Sequence, residues 1–204
     1  MELRGFYFVT DSRLSKKDNV EDVRAGVKGG ARVVQYREKN KDWVGFLMEA
    51  FELRRICKEK GVLFLVNDSV AATLLVGADG VHLGQEDMSL KQAREILGRK
   101  KIIGVTVHNL EEALEAEKQG ANYLGLSPIF KTATKTDAGP AAGLKLIGEV
   151  KEKVGIPCVA IGGINESNID SVIEAGADAV AAISATICKE DVGKAVKFFA
   201  SKFL

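Results

Sequence analysis

Cysteine, histidine and net charge are all scarce in this chain, and long apolar runs are absent. Three cysteines, Cys57, Cys158 and Cys188, show no CxxC spacing. An odd count argues against a disulfide framework, and the apolar patterning around Cys57 and Cys158 marks both as buried free thiols. Two histidines, His82 and His108, are too few and too dispersed for a zinc site. His82 reads as a hydrogen-bonded core histidine. With 29 basic and 28 acidic residues the net charge is +1, which leaves no electrostatic footprint for nucleic acid or a membrane surface. Any anion must therefore be held locally, by a few placed groups. No apolar run approaches the ~20 residues of a membrane span. "MELRGFYFVT" has no apolar core of a signal peptide, so a cytoplasmic protein is expected. A homo-oligomer stays open.

What is present is ordinary in bulk and regular in order. Hydrophobic residues make up 46% and charged residues 28% of 204 residues, enough for one domain over 1–204 with a sizeable core. Short apolar runs alternate with helical patterns. Strands are expected at 5–10, 32–37, 62–67, 80–83, 102–107, 122–127, 157–162 and 179–184, most of them poor in polar residues, as strands covered on both faces should be. Among the helices, Val20, Val23 and Val27 share a face, and Ser89 with Gln92 and Asn109 with Glu112 have capping-box spacing. Leu90, Ala93, Ile96 and Leu97 form an apolar stripe. Asn165 is placed to cap the helix of "NESNIDSVIEAG". A last helix at about 190–203 carries Val192, Ala195, Val196 and Phe199. "GGARVV", "GADGVHL", "GANYLGL" and "GADAVAA" each end a helix with glycine and enter a strand. Eight strands and eight helices in one uninterrupted chain favour a closed (β/α)8 TIM barrel over an open doubly wound sheet.

In such a barrel, functional groups collect where strands end. Strand 2 runs into Gln35, Arg37 and Lys39, which alternation puts on one side. If that side faces the interior, two cations need an anionic partner; otherwise they lie past the strand in water. Strand 3 ends in Asn67 and Asp68, strand 4 in "GQED" with Asp87, and strand 5 carries Thr106 and His108. Asp68 and Asp87 singly suit helix-capping or turn positions, but together beside cations they suit Mg2+, which uses one or two carboxylates plus water and phosphate oxygens. "IGGIN" after strand 7 and "ISAT" after strand 8 suit a phosphate cradle from Gly162, Gly163 and Ser184. The polar loop "KTATKTDAGP" (131–140) is long for so lean a barrel and would carry Thr132, Thr134 and Lys135 over the mouth, between a monophosphate and a diphosphate.

The motifs "VVQYREK", "VNDSVAATLLVGADGVHLGQEDM", "GVTVHNLEEA", "SPIFKTATKTDAGP", "VAIGGIN" and "AISA" resemble, in order and over nearly the whole chain, those of the thiamine phosphate synthase family. The resemblance implies a (β/α)8 barrel that joins 4-amino-5-hydroxymethyl-2-methylpyrimidine diphosphate to a phosphorylated hydroxyethylthiazole, releasing pyrophosphate, with Mg2+. It implies that Gln35, Tyr36, Arg37, Glu38, Lys39, Asn67, Thr106 and Lys135 meet the pyrimidine diphosphate. Thr132, Ala133, Thr134, Gly163, Ile183 and Ser184 would meet the thiazole phosphate, and Asp68 and Asp87 the metal. Thr106 stands where family members often have serine, and keeps the hydroxyl; Ser127 stands where glycine is common. The implied chemistry is departure of pyrophosphate, aided by Arg37, Lys39, Thr106 and Lys135, and capture of a pyrimidine carbocation by the thiazole nitrogen, with no side-chain nucleophile. A thiazole tautomerase on the same barrel, a non-catalytic thiazole phosphate-binding barrel and a sugar- or indole-phosphate isomerase are the other readings. The first two do not need the cation and carboxylate set, and the third leaves the cations unexplained.

Overall fold

A computed structural model describes residues 3–134 and 139–204. The eight expected strands form: β1 (Gly5–Val9), β2 (Val33–Tyr36), β3 (Leu63–Asn67), β4 (Gly80–Leu83), β5 (Ile102–Val107), β6 (Tyr123–Leu126), β7 (Cys158–Ile161) and β8 (Ala179–Ala181). Every neighbouring pair is parallel. β1 also pairs with β8, Phe6 opposite Val180, so the sheet closes into a barrel in chain order. Around it lie α1 (Asn19–Lys28), α2 (Trp43–Glu59), α3 (Val70–Leu75), α4 (Leu90–Leu97), α5 (Leu110–Lys118), α6 (Gly143–Lys153), α7 (Ile169–Glu174), α8 (Ser184–Ile187) and α9 (Val192–Ser201). None is long and apolar enough to cross a membrane among the described residues.

Two elements differ from expectation. β8 stops at Ala181, and the run beyond it turns into the four-residue helix α8, a ninth helix among the described residues. The apolar string Ala179–Ile183 does not distinguish the two conformations. Asn165 does not cap α7. Its side chain accepts from Ser167 N at 2.9 Å, while Asn168 occupies the cap position without a side-chain cap bond. The two capping boxes form as the spacing predicts, Ser89 accepting from Gln92 N and Asn109 from Glu112 N; Asp18, Asp42, Ser69 and Asp191 cap α1, α2, α3 and α9 in the same way, and α6 and α8 have no side-chain cap. Of the α4 stripe, Leu90, Ala93 and Leu97 are buried, but Ile96 faces outward and is half exposed.

The repeated glycine punctuation has a structural cause. Gly30, Gly77, Gly120 and Gly176 all have φ between 65° and 103°, open to glycine and strained for other residues. The alanine that follows is buried each time. At three of the four turns the next residue clasps the strand before it: Asp79 accepts from Phe64 N at 2.8 Å, Asn122 from Ile103 N at 2.8 Å and Asp178 from Cys158 N at 2.7 Å. Arg54, Arg94 and Lys151 bind these side chains in turn. The clasps sit at strand starts, on the face away from the strand ends, where they set register.

One hydrophobic cluster lies between sheet and helices. A second fills the barrel, with Tyr7, Val33, Leu65, Tyr123, Val159 and Ala179 at its centre. Cys57 and Cys158 are buried and unpaired, and burial pushes both thiols up to about 12. Interior glycines make room for large neighbours. A Cβ on Gly104 would sit 2.0 Å from Tyr123 Cζ, and one on Gly125 3.0 Å from His82 Cε1.

Candidate active site

The strand ends surround a cavity of about 580 Å³. One wall is ionic. Thr10, at the end of β1, is fully buried and clasps the chain just past β2: its hydroxyl donates to Arg37 O at 3.0 Å and accepts from Arg37 N at 2.9 Å. Arg37 is thereby held in the wall, although it lies beyond the strand. Its guanidinium donates to Asp11 Oδ2 at 2.7 Å, and Arg13 grips the same carboxylate through Nε at 3.0 Å and Nη2 at 2.7 Å. Burial alone would raise the Asp11 pKa. The Arg13 hydrogen bond and the two guanidinium charges outweigh it and hold the carboxyl below its usual value. Lys39, half exposed, pairs with Asp68.

Asp68 is the one non-glycine with positive φ among the described residues, at 64°. Its N–H donates to His82 O at 2.8 Å, which fixes this left-handed turn between β3 and β4. Strain of this kind costs about 1–3 kcal/mol and concentrates at functional sites. The turn brings the Asp68 carboxyl beside Asp87, which also accepts from Gly84 N at 2.7 Å. Burial first, and then Asp68, push the Asp87 pKa up, with the Gly84 N–H and then Lys39 opposing. Two carboxylates in mutual repulsion, both on the cavity, form a donor set that a divalent cation would relieve. Among the described residues no cluster of three or more His, Cys, Asp or Glu could hold a metal. The pair therefore suits a cation that completes its shell with water and substrate oxygens, as Mg2+ does, rather than zinc.

The opposite wall is the glycine cradle. Gly162 and Gly163 have φ of 104° and 65°. A Cβ on Gly162 would lie 2.6 Å from Pro128 Cβ, and one on Gly163 2.6 Å from Lys131 O. Both residues must be glycine for the segment after β6 to lie this close, where Phe130 N donates to Gly162 O at 2.9 Å. Thr132, Thr134, Ile183 and Ser184 line the cavity here, with the first turn of α8 beside them. Arg13 Nη2 reaches Thr134 O at 3.5 Å, tying the two walls across the mouth.

The floor between the walls is polar. Gln35 Nε2 donates to Tyr7 OH at 2.9 Å, and Tyr7 OH lies 2.7 Å from Tyr123 OH. Tyr123 OH lies 2.8 Å from His82 Nδ1, and His82 Nε2 lies 2.9 Å from Thr106 Oγ1. His82 is thus hydrogen-bonded on both nitrogens, as read from the sequence, but it also lines the cavity.

The structure brings Gln35, Arg37, Lys39, Asn67, Asp68, Asp87, Thr106, Thr132, Thr134, Gly162, Gly163, Ile183 and Ser184 around this single cavity. Tyr36, Glu38 and Ala133 are not in its lining. Tyr36 is buried on the helix side and donates to Glu49 at 2.7 Å. Glu38 points back into the loop, accepting from Ser12, Asn19, Lys39 N and Asn40 N. Ala133 is exposed. Lys135 lies outside the described residues. Sequence reasoning missed Asp11, Arg13, Tyr7 and Tyr123. Asp11 follows directly on strand 1, so extending the strand-end survey to that strand would have found it. The tyrosines carry no local signal beyond the glycines opposite them.

The model of a family described as thiamine monophosphate synthase matches residues 6–186. The chain belongs to that family. It is 53% identical over 194 residues to the thiamine-phosphate synthase of Methanosarcina barkeri, covering 95% of this chain and 88% of that protein. The thiamine-phosphate synthase of Methanospirillum hungatei is 45% identical, covering 96% of each chain. A solved thiamine phosphate pyrophosphorylase from Pyrococcus furiosus superposes with a TM-score of 0.90 at 44% identity, covering 97% and 94%. An N-acetylmannosamine-6-phosphate 2-epimerase from Clostridium perfringens shares the fold alone, at 16% identity and a TM-score of 0.67 over 90% and 88%. This member of the thiamine monophosphate synthase family is a transferase.

Proposed function

We propose that this chain makes thiamine phosphate by joining 4-amino-2-methyl-5-hydroxymethylpyrimidine diphosphate to 4-methyl-5-(2-phosphoethyl)thiazole, with release of pyrophosphate. The observation that carries this reading is one cavity whose two walls differ in chemistry, one ionic and one a neutral glycine cradle. The first combines Arg37 and Lys39 with the Asp68–Asp87 pair. The second is the neutral cradle of Gly162, Gly163, Ser184 and the threonines. A tautomerase or a passive thiazole phosphate binder needs only the second.

Asp68 and Asp87 would hold Mg2+, which supplies charge neutralisation on the departing pyrophosphate. Arg37 and Lys39 meet the same developing charge, preorganised by Asp11 and Asp68, with the Thr106 hydroxyl lining the same cavity. Lys135, next to Thr134 in the sequence, joins them in this reading. Tyr36, Glu38 and Ala133 contribute through backbone and loop shape, since the Tyr36 and Glu38 side chains are bonded elsewhere. The cradle holds the thiazole phosphate so that the ring nitrogen faces the carbon losing pyrophosphate. Capture of the pyrimidine cation then needs no protein nucleophile, and the chain supplies positioning and electrostatics.

The test is pyrophosphate release from purified protein with each substrate alone and both together, in Mg2+ or in EDTA. Release should require both substrates and the metal. Release with the metal chelated would remove Asp68 and Asp87 from the chemistry, and folded protein inactive in every combination would overturn the reading.

A further inference from the structure

The floor of the cavity is a continuous chain of polar contacts, Gln35–Tyr7–Tyr123–His82–Thr106, that crosses the barrel from β2 to β5. Each step is between 2.7 and 2.9 Å. Both tyrosines are fully buried. Burial holds both phenols well above their ordinary pKa, so each keeps its proton and has one proton to give.

For a neutral His82 the proton positions follow one from the next. Gln35 Nε2 donates to Tyr7, so the Tyr7 proton must serve Tyr123, its other partner among the described residues. The Tyr123 hydroxyl already accepts, and gives its proton to His82 Nδ1. A neutral imidazole that accepts at Nδ1 carries its proton at Nε2. That proton goes to Thr106 Oγ1. The Thr106 hydroxyl, having accepted from the imidazole, is left with its own proton for the cavity that it lines. The reverse polarity would turn the Thr106 proton back onto His82 and present only lone pairs to the cavity.

We propose that this chain is a one-way hydrogen-bond relay that makes Thr106 an obligatory donor toward a phosphate oxygen. It rests on the diphosphate reading above. A lone threonine hydroxyl is free to present either its proton or its lone pairs, and a diphosphate oxygen accepts only. The relay removes that choice before substrate arrives. Tyr7, Tyr123 and His82 are then positioning residues: they act on the diphosphate through Thr106, and Gly104 and Gly125 are there to give them room.

Two measurements decide it. The first needs no turnover. With 15N-labelled histidine and saturating inorganic pyrophosphate and Mg2+, the nitrogen shifts of His82 should show a neutral ring protonated at Nε2. His82 is identified as the histidine whose shifts change in Tyr123→Phe. A ring protonated at Nδ1, or at both nitrogens, overturns the relay. The second is a double-mutant cycle in pyrophosphate release. Tyr123→Phe should lower kcat/KM for the pyrimidine diphosphate about tenfold, the worth of one net hydrogen bond, and leave the thiazole phosphate KM unchanged. Thr106→Val should lower it at least as far, and Thr106→Ser should restore it. Tyr123→Phe added to Thr106→Val should cost less than about twofold more, because the Thr106 hydroxyl through which the relay acts on the diphosphate is already gone. Additive losses overturn the proposal. If the wild-type protein releases no pyrophosphate, the proposed reaction fails, and the tautomer measurement still decides the relay.

Discussion

Asp11 shows how much of the site depends on a single carboxylate. It is 2% exposed and holds Arg37 on one side and Arg13 on the other, and Arg13 in turn reaches the loop after β6. Asp11→Asn keeps the shape and removes the charge. Arg37 would then be free to swing, with no carboxylate to aim it. We expect kcat/KM for the pyrimidine diphosphate to fall roughly 100-fold and stability to fall by roughly 1–3 kcal/mol, the range for a hydrogen bond to a charged group and its unmet partner. Unchanged kinetics would mean that Arg37 needs no such support. The pH dependence has a definite sign. The folded pKa of Asp11 is lowered, so its stabilisation is present above the ordinary carboxylate value and is lost as pH falls through the lowered one. Denaturant unfolding at pH 5 and pH 3 should therefore show the gap between wild type and Asp11→Asn narrowing at the lower pH. Both proteins should keep the acid sensitivity contributed by Glu38, whose pKa is also lowered: burial opposes this, but bonds from Asn40 N, Ser12, Asn19 and Lys39 N prevail.

Among the elements, the segment after β6 and the end of β7 depend on each other. Phe130 N and Ile129 N bond to Gly162 O and Ile161 O, and the fit allows no Cβ on either glycine. In Gly163→Ala the new methyl meets Lys131 O, and the backbone is held at a φ unfavourable to alanine. The loop must lift. We expect the thiazole phosphate KM to rise about tenfold or more, with a smaller change in the pyrimidine diphosphate KM and a stability loss of roughly 1–3 kcal/mol. Equal rises in both KM values would show that the two walls are not separate subsites. What the sequence discloses about the elements follows the range of the interactions. Several strands were legible because glycine and alanine recur at four helix-to-strand turns, followed at three of them by Asp or Asn. The Arg37 and Lys39 placement was legible from alternation, although it persists past the strand only because Thr10 clasps the chain. Tyr7 and Tyr123 were not, because their contact spans 116 positions and neither neighbourhood differs from a plain buried strand. Helix α8 was not, because four residues are too few to show a period.

At the scale of the whole molecule, the site draws on every strand end, and the barrel closes through β1 and β8. Ligand binding should therefore stabilise the molecule as one unit rather than firm up one corner. The two carboxylates make that binding conditional. Without a cation, Asp68 and Asp87 repel a diphosphate as they repel each other; with one, they attract it. Pyrophosphate and Mg2+ together, at about 100 times their joint Kd, should add about 2.7 kcal/mol. For a chain of this length that corresponds to a rise in Tm of about 5–11 °C. Mg2+ alone, or pyrophosphate in EDTA, should each raise Tm by less than about 2 °C, because neither half of the site is complete. In Asp68→Asn the combined shift should shrink toward the pyrophosphate-only value. A full shift with pyrophosphate in EDTA would assign the anion to Arg37 and Lys39 alone and leave the strained turn at Asp68 without a purpose in binding.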